Sequence, residues 1–165
     1  MGLTGAEDPA GPDRSGHRGS TGTPGPLTIE RVVGRLRAVG YHHFVDSEGD
    51  AGGLWHGRLF HFFLIGEEQQ IFQVRGRWNR RLSIERLGEV LDLCDRWNRE
   101  LLWPKCYVRV QDDGYVHVIT EISTPFASGA TDAQLTTCIQ DGLAYSGAIF
   151  DALDRHYPDP AESAP

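Results

Sequence analysis

Residues 54–78 read LWHGRLFHFFLIGEEQQIFQVRGRW, a pattern that indicates a β-hairpin. LWHGRLFHFFLI predicts one long strand, GEEQ a turn, and QIFQVRGRW the partner strand. In the partner strand, apolar or small residues alternate with polar ones. One face would carry Phe72, Val74, Gly76 and Trp78, and the other Gln73, Arg75 and Arg77. Such alternation is typical of a sheet with one solvated face.

Helical signals flank the hairpin on both sides. Thr28 is an N-cap candidate before apolar residues at helical spacing, and Ser83 holds the same position before a second helix. The second helix is expected to end before Trp103-Pro104, because proline disfavours helical geometry in the preceding residue. Thr131 and Gln134 form a capping box at the start of a third helix.

Three more strands complete the predicted order. Residues 41–45 precede the hairpin, while CYVRV and YVHVITEI follow the second helix and meet at Asp113-Gly114, a strong turn signal. The order is therefore α-β-β-β-α-β-β-α. It predicts an α+β fold with a largely antiparallel five-stranded sheet and helices packed on one face.

The composition of the chain limits its domain organisation and the kinds of partner it can bind. The chain has 165 residues and a net charge of −7, which argues against nucleic acid as a partner. Residues 1–26 and 158–165 are rich in small residues and proline, so we expect two disordered tails around one domain at 27–157. No long apolar run is present, and three cysteines show no paired spacing. We therefore expect a cytoplasmic protein without a membrane partner.

Candidate catalytic and metal motifs fail on spacing. The loop with Asp46, Glu48 and Asp50 resembles a calcium loop, but Ala51 replaces the turn glycine and Gly57 replaces the bidentate glutamate. Histidines on the neighbouring strands are adjacent or five apart, so each pair points to opposite faces. Nucleotide-binding and nucleophile motifs are absent. The sequence predicts no metal, no cofactor and no enzyme activity.

The open sheet face carries the sharpest functional signal. Strand alternation places arginine, lysine and aromatic residues together on it, a composition enriched at protein interfaces. The predicted partner-binding residues are Arg75, Arg77, Lys105, Tyr107, Arg109, Tyr115 and His117. An ordinary solvated face is the alternative interpretation of the same pattern.

Together these features resemble the YbjN family of bacterial sensory transduction regulators, whose fold is similar to type III secretion chaperones. The element order carries the resemblance, with Trp97-Asn98, the hairpin from Lys105 to Asp113-Gly114, Glu121, Gly129, and the helix from Thr131 to FDALDRHYP. The family implies a non-enzymatic regulatory or chaperone-like module, a homodimer, that acts through contacts with a protein partner. It supplies no catalytic residues.

Two other functions stay open on the sequence alone. A small-ligand-binding domain or an unrecognised enzyme would need a closed pocket near His117 and Glu121. A structural subunit of a larger assembly would need neither a pocket nor a regulated partner. The strand LWHGRLFHFFLI is apolar on both faces, which supports the expectation of a homodimer, because a second subunit would cover the face that the helices leave open.

Overall fold

The computed structural model describes residues 22–158 and has the α+β class that the sequence predicts. Three helices and seven strands follow one another along the chain. They are α1 (Ile29–Ala38), β1 (Phe44–Val45), β2 (Ala51–Trp55), β3 (Arg58–Ile65), β4 (Ile71–Arg77), β5 (Leu82–Ser83), α2 (Leu87–Glu100), β6 (Lys105–Val110), β7 (Tyr115–Pro125) and α3 (Asp132–His156). A single 3-10 turn, Ile84–Arg86, leads into α2.

All strands join one antiparallel sheet. The order is β1-β2-β3-β4-β7, and β6 lies on the far side of β7. Glu121 shows this arrangement, because it is opposite Arg75 of β4 on one side and opposite Lys105 of β6 on the other. The short β5 continues along the β4 side of β7, where Leu82 is opposite Val116.

The prediction of five strands is wrong at residues 54–65, where the chain forms a tight hairpin instead of one long strand. His56 and Gly57 turn the chain between β2 and β3 with φ angles of 51° and 74°. Two consecutive positive φ angles define the turn that best matches the twist of a hairpin. The turn was missed because histidine is uncommon at a positive φ angle.

Strand β2 begins at Ala51, within the segment that the sequence assigned to a loop. Its glycines allow aromatic rings to lie against the backbone: a Cβ atom at Gly53 would be 2.6 Å from the Trp55 ring. At Gly52 a Cβ would meet the Phe44 ring at the same distance. These glycines therefore belong to the sheet.

The three helices cover one face of the sheet, as predicted. The core on that face contains Phe60, Phe62, Phe72 and Val74 from the strands, together with buried residues of all three helices. Helix α3 approaches β4 closely, since a Cβ at Gly142 would lie 2.7 Å from the Val74 side chain. The opposite face, which we call the open face, has no helix on it among the described residues.

Arg58 fastens the β2–β3 hairpin to the end of α3. Its side chain is almost fully buried and donates hydrogen bonds to Asp151 at 2.7 Å and Asp154 at 2.6 Å. Asp154 also accepts a hydrogen bond from the indole nitrogen of Trp78 at 2.8 Å. A buried cation needs such partners, so the two aspartates of FDALDRHYP have a structural role.

The chain before α1 is attached to the domain by Arg31. This side chain donates hydrogen bonds to the carbonyls of Gly25, Pro26 and Ala130 and to Asp132. Gly25 and Ala130 also form an isolated antiparallel bridge. Residues 22–26 of the predicted N-terminal tail therefore contact the domain. The rest of the predicted tails, 1–21 and 159–165, lies outside the described residues.

Candidate functional site

The structure places all seven predicted partner-binding residues on the open face. They occupy odd-numbered positions of β4, β6 and β7, whose side chains alternate between the two faces of the sheet. In the register of β6 and β7, Arg109 is directly opposite His117. Tyr107 lies in the next row on the open face, opposite Ile119. Arg77 is on the other side of Ile119. These residues therefore form one continuous surface across three strands.

A hydrogen-bonded network occupies the centre of the open face. Oε1 of Glu121 accepts one hydrogen bond from Nε of Arg75 and another from the hydroxyl of Tyr107, each at 2.6 Å. Arg75 also donates to the side-chain oxygen of Gln73 at 3.1 Å, and Gln73 donates to the hydroxyl of Ser123 at 3.0 Å. Charge-assisted bonds of this length are strong, so the network holds these side chains in fixed positions.

Aromatic rings continue the open face toward β3. The guanidinium of Arg75 lies over the ring of Phe63, 4.6 Å from its centroid. His61 stacks on Phe63 at 5.6 Å between centroids, and Phe44 contacts His61 edge-on. Arg75 is thus paired with the Glu121 carboxylate on one side and stacked on the Phe63 ring on the other.

Three other cations of the open face are available. Arg77, Lys105 and Arg109 are exposed, and within residues 22–158 none has a carboxylate within 4.0 Å. A fourth cation, Arg81, has Asp113 at 3.7 Å and lies over the ring of Tyr115. The unpaired charges therefore lie around the central network, Lys105 and Arg109 on β6 and Arg77 on β4.

Two titratable groups on the open face are held uncharged. Burial, and next the hydrogen bond to Glu121, raise the pKa of Tyr107 to about 12. Burial, and next the charge of Arg77, lower the pKa of His117 below its usual value. Tyr107 is therefore a hydrogen-bond donor at neutral pH, and His117 is a neutral imidazole among cations.

Sequence reasoning missed how Asn98 fastens α2 to the outer edge of β6. The side chain of Asn98 donates to the carbonyl of Cys106 at 2.7 Å and accepts from its N–H at 2.8 Å. Beside this contact, the thiols of Cys94 and Cys106 are 3.4 Å apart in the core. The Trp97-Asn98 pair in the resemblance was a signal, but only the fold shows its target.

The same contact shows which backbone groups of β6 remain open. The N–H and C=O of Cys106 point away from β7, toward Asn98. Because these directions alternate along an antiparallel strand, the N–H and C=O groups of Val108 and Val110 point the same way. Val110 is exposed. Strand β6 therefore offers a short open edge beside Arg109.

The acidic loop at Asp46 is stabilised by hydrogen bonds to its own backbone. Oδ1 of Asp46 accepts hydrogen bonds from the backbone N–H groups of Glu48 and Asp50, so the acidic loop is a self-capped turn. Residues 22–158 contain no group of three or more metal-ligating side chains suited to an ion. Three of the better-formed cavities in this part of the chain are lined by other residues, and not by His117 or Glu121.

The described residues thus form a three-helix α+β domain with an open sheet face that carries a hydrogen-bonded network. Comparison with known families gives a match over residues 28–155 to the YbjN family, described as "Putative bacterial sensory transduction regulator". The chain belongs to the YbjN family. This membership supports a regulatory or protein-binding role, and the description is that of a regulator and not of an enzyme.

The fold is also similar to that of a solved structure. A crystal structure of YbjN from E. coli, described as "a putative transcription regulator", superposes with a TM-score of 0.70 at 12% sequence identity. The match covers 81% of this chain and 96% of that chain. No curated protein sequence matches the chain significantly. No helix between residues 22 and 158 has the length and apolar character needed to cross a membrane.

Proposed function

We propose that this protein is a non-enzymatic regulatory module that binds an extended, acidic segment of a partner protein along the β6 side of its open face. The observation that carries the proposal is a set of three unpaired cations on the open face: Lys105 and Arg109 lie on β6, whose outer edge is open, and Arg77 lies on β4, on the other side of β7. The chain as a whole has a net charge of −7, so these cations are a local exception to its charge.

Charge complementarity favours an acidic partner. Arginine presents planar donors that match carboxylates, and unpaired charges steer an oppositely charged partner toward the surface. Lys105 and Arg109 are four residues apart on one strand, which corresponds to about 13 Å. An extended segment with two or more carboxylates would span that distance, and a carboxylate of the partner that lies over β7 would contact Arg77 on β4.

The open backbone of β6 favours an extended partner. A peptide that adds a strand to a sheet edge gains backbone hydrogen bonds and takes its specificity from the neighbouring side chains. Val108 and Val110 supply the open N–H and C=O groups, while Asn98 occupies those of Cys106. The added strand would therefore be short and would run beside Arg109.

The central network favours binding over catalysis. Glu121 already accepts two hydrogen bonds from within the fold, and Tyr107 keeps its proton, so neither is poised as a base or nucleophile. A fixed surface instead lowers the entropy cost of association. A ligand-binding or catalytic pocket near His117 and Glu121 is not favoured, because neither residue lines any of these three cavities.

The test is affinity capture of the full-length chain from extracts of its native cells, with mass spectrometry of the captured proteins. The Arg77→Glu, Arg109→Glu double variant should lose partners that the wild type captures, because like charges then face each other. The control is Arg96→Glu, Arg99→Glu on the exposed side of α2, which makes the same change in net charge.

The binding should also respond to salt. Contacts between exposed charges are screened at high ionic strength, so capture of the same partners should fall as salt rises. Retention of every partner by the open-face variant would contradict the proposal. Equal losses in the open-face and α2 variants would show that net charge, and not this surface, controls capture.

A further inference from the structure

A small apolar recess lies on the helix side of the sheet, away from the open face. Its floor is formed by Val74 and Ile122. Helix α3 provides one wall with Cys138, Asp141 and Tyr145, and Trp103, which follows α2, provides the other. We call this recess the helix-side socket. It lies over β4 and β7, in the space between the end of α2 and the side of α3.

The volume of the helix-side socket matches one side chain. It measures about 160 Å³ and its lining is mostly apolar. Pockets for drug-sized ligands or cofactors usually measure about 300–1,000 Å³. An apolar cavity of about 150 Å³ in a protein core is known to hold a single benzene molecule. The socket therefore has room for one aromatic ring or one leucine side chain.

Several large apolar or aromatic side chains around the socket are exposed to solvent. Trp103 is 53% exposed, Tyr145 is 46% exposed, and Leu102, directly before Trp103, is 71% exposed. Contiguous exposed apolar side chains mark sites of association, and tryptophan and tyrosine dominate the binding energy of protein interfaces. This exposed apolar surface extends beyond the socket, so it fits a polypeptide better than a small molecule.

Asp141 gives the socket a charge preference. It is exposed at the rim, and in the described part of the chain no lysine, arginine or histidine nitrogen lies within 4.0 Å of its carboxylate. The neighbouring Cys138 carries no charge at neutral pH, because burial raises the pKa of its thiol. The socket thus combines an apolar interior with one unneutralised negative charge.

We propose that the helix-side socket is a docking site for a partner polypeptide that inserts one large apolar side chain, aromatic or leucine, and places an adjacent lysine or arginine against Asp141. The remaining residues of this chain, 1–21 and 159–165, contain no aromatic side chain, and their one leucine, Leu3, has no lysine or arginine beside it, so they do not supply the anchor and its adjacent cation. The proposal does not rest on partner binding at the open face, which lies on the other side of the sheet.

The first test uses phenethylammonium, which joins a ring to a cation, and its neutral analogue 2-phenylethanol. The protein is labelled with 5-fluorotryptophan, and the Trp103 signal is assigned from the Trp103→Phe variant. Phenethylammonium should shift the Trp103 signal at several-fold lower concentration than 2-phenylethanol, since Asp141 attracts only the cation. Asp141→Asn should remove that difference. Shifts confined to the other three tryptophans would contradict the proposal.

The second test selects peptides from a random display library against the immobilised full-length chain. Wild type should enrich peptides in which a large apolar residue neighbours lysine or arginine. Asp141→Lys should change the preferred neighbour to aspartate or glutamate, while Asp92→Lys, an exposed acid on α2, should leave it unchanged. Trp103→Ala should weaken the selected peptides about tenfold, because a central aromatic residue often contributes that much.

Two outcomes would overturn the proposal. An identical peptide preference in wild type and Asp141→Lys would show that the socket does not read the charge. If instead Trp103→Ala converted a wild-type oligomer to a monomer, the occupant would be a second copy of this chain and not a different partner. Trp103 is half exposed, so its replacement should leave the fold intact and keep both readouts interpretable.

Discussion

Arg75 and Glu121 are 46 residues apart in sequence and joined by a 2.6 Å hydrogen bond at the centre of the open face. The same carboxylate oxygen binds the hydroxyl of Tyr107, and the other side of the Arg75 guanidinium rests on Phe63. The pair distinguishes two kinds of side chain among five of the seven predicted binding residues. Arg75 and Tyr107 belong to the scaffold, while Arg77, Lys105 and Arg109 remain available to a partner.

We predict that charge reversal at Arg75 and at Arg109 will affect stability differently. Arg75→Glu sets two carboxylates side by side and should lower the free energy of unfolding by about 1–2 kcal/mol, a figure reduced because Arg75 is 36% exposed. Arg109→Glu breaks no such contact and should stay within about 0.5 kcal/mol. Urea unfolding of both variants measures the difference, and equal effects would contradict the assignment.

A pH prediction follows from Tyr107. Its pKa in the folded chain is about 12, whereas an unfolded tyrosine titrates near about 10. The folded chain holds this proton more tightly than the unfolded chain does. The contribution of Tyr107 to the free energy of unfolding is therefore complete below about pH 10 and is lost as pH rises toward about 12. Burial raises the pKa of Tyr157 to about 12 as well.

Single Tyr107→Phe and Tyr157→Phe variants should each make the alkaline loss of unfolding free energy shallower, and the double variant should be shallower still. Urea unfolding at about pH 9 and about pH 11 gives the slope for each variant. Because Tyr107→Phe also removes a hydrogen bond, its stability at about pH 9 is the reference for its own slope. A single variant whose slope equals that of wild type would contradict the prediction for that tyrosine.

Local sequence patterns were sufficient for the face assignments in β4. The alternation in β4 correctly assigned Phe72 and Val74 to the core and Arg77 to the open face, because side-chain direction in a strand depends only on parity. The capping box of Thr131 and Gln134 was likewise correct, since both of its hydrogen bonds are local.

Register and helix placement were not available from local patterns. That Glu121 lies between Arg75 and Lys105 depends on strand pairing across distant parts of the chain. The contacts of Asn98 with Cys106 depend on where α2 settles against the sheet. The helix-side socket is a gap between such placements, and no periodicity in the sequence describes a gap.

Two glycines on α3 should respond in opposite ways to alanine. A Cβ at Gly142 would meet the Val74 side chain at 2.7 Å, so Gly142→Ala should lower the free energy of unfolding by about 1–2 kcal/mol through overpacking. Nothing lies within 4 Å of a Cβ at Gly147, so Gly147→Ala should raise it by about 0.5–1 kcal/mol through helix propensity. Thermal unfolding compares the two. A gain in stability for Gly142→Ala would show that α3 can move away from β4.

The remaining prediction is that the protein forms a homodimer. The sequence suggested this from one long strand with two apolar faces; the structure has the β2–β3 hairpin in its place, and the exposed residues of that hairpin now support the prediction. On the β2–β3 half of the open face, Leu54 is 65% exposed and lies opposite Leu59 in the register. Phe44 and Ile65, on the neighbouring strands, are also exposed. An apolar patch of this kind is typical of an interface, and a twofold pair of identical patches is the commonest way to cover one.

We expect light scattering at micromolar concentration to give about twice the chain mass of 18.3 kDa. Leu54→Asp should shift the protein to a monomer, because the charge would be buried at the interface without a partner. Leu91→Asp on the exposed side of α2 is the matched control and should remain dimeric. A wild-type monomer at every concentration would contradict the dimer. A dimer that survives Leu54→Asp and dissociates in the control would place the interface on the helix side of the sheet.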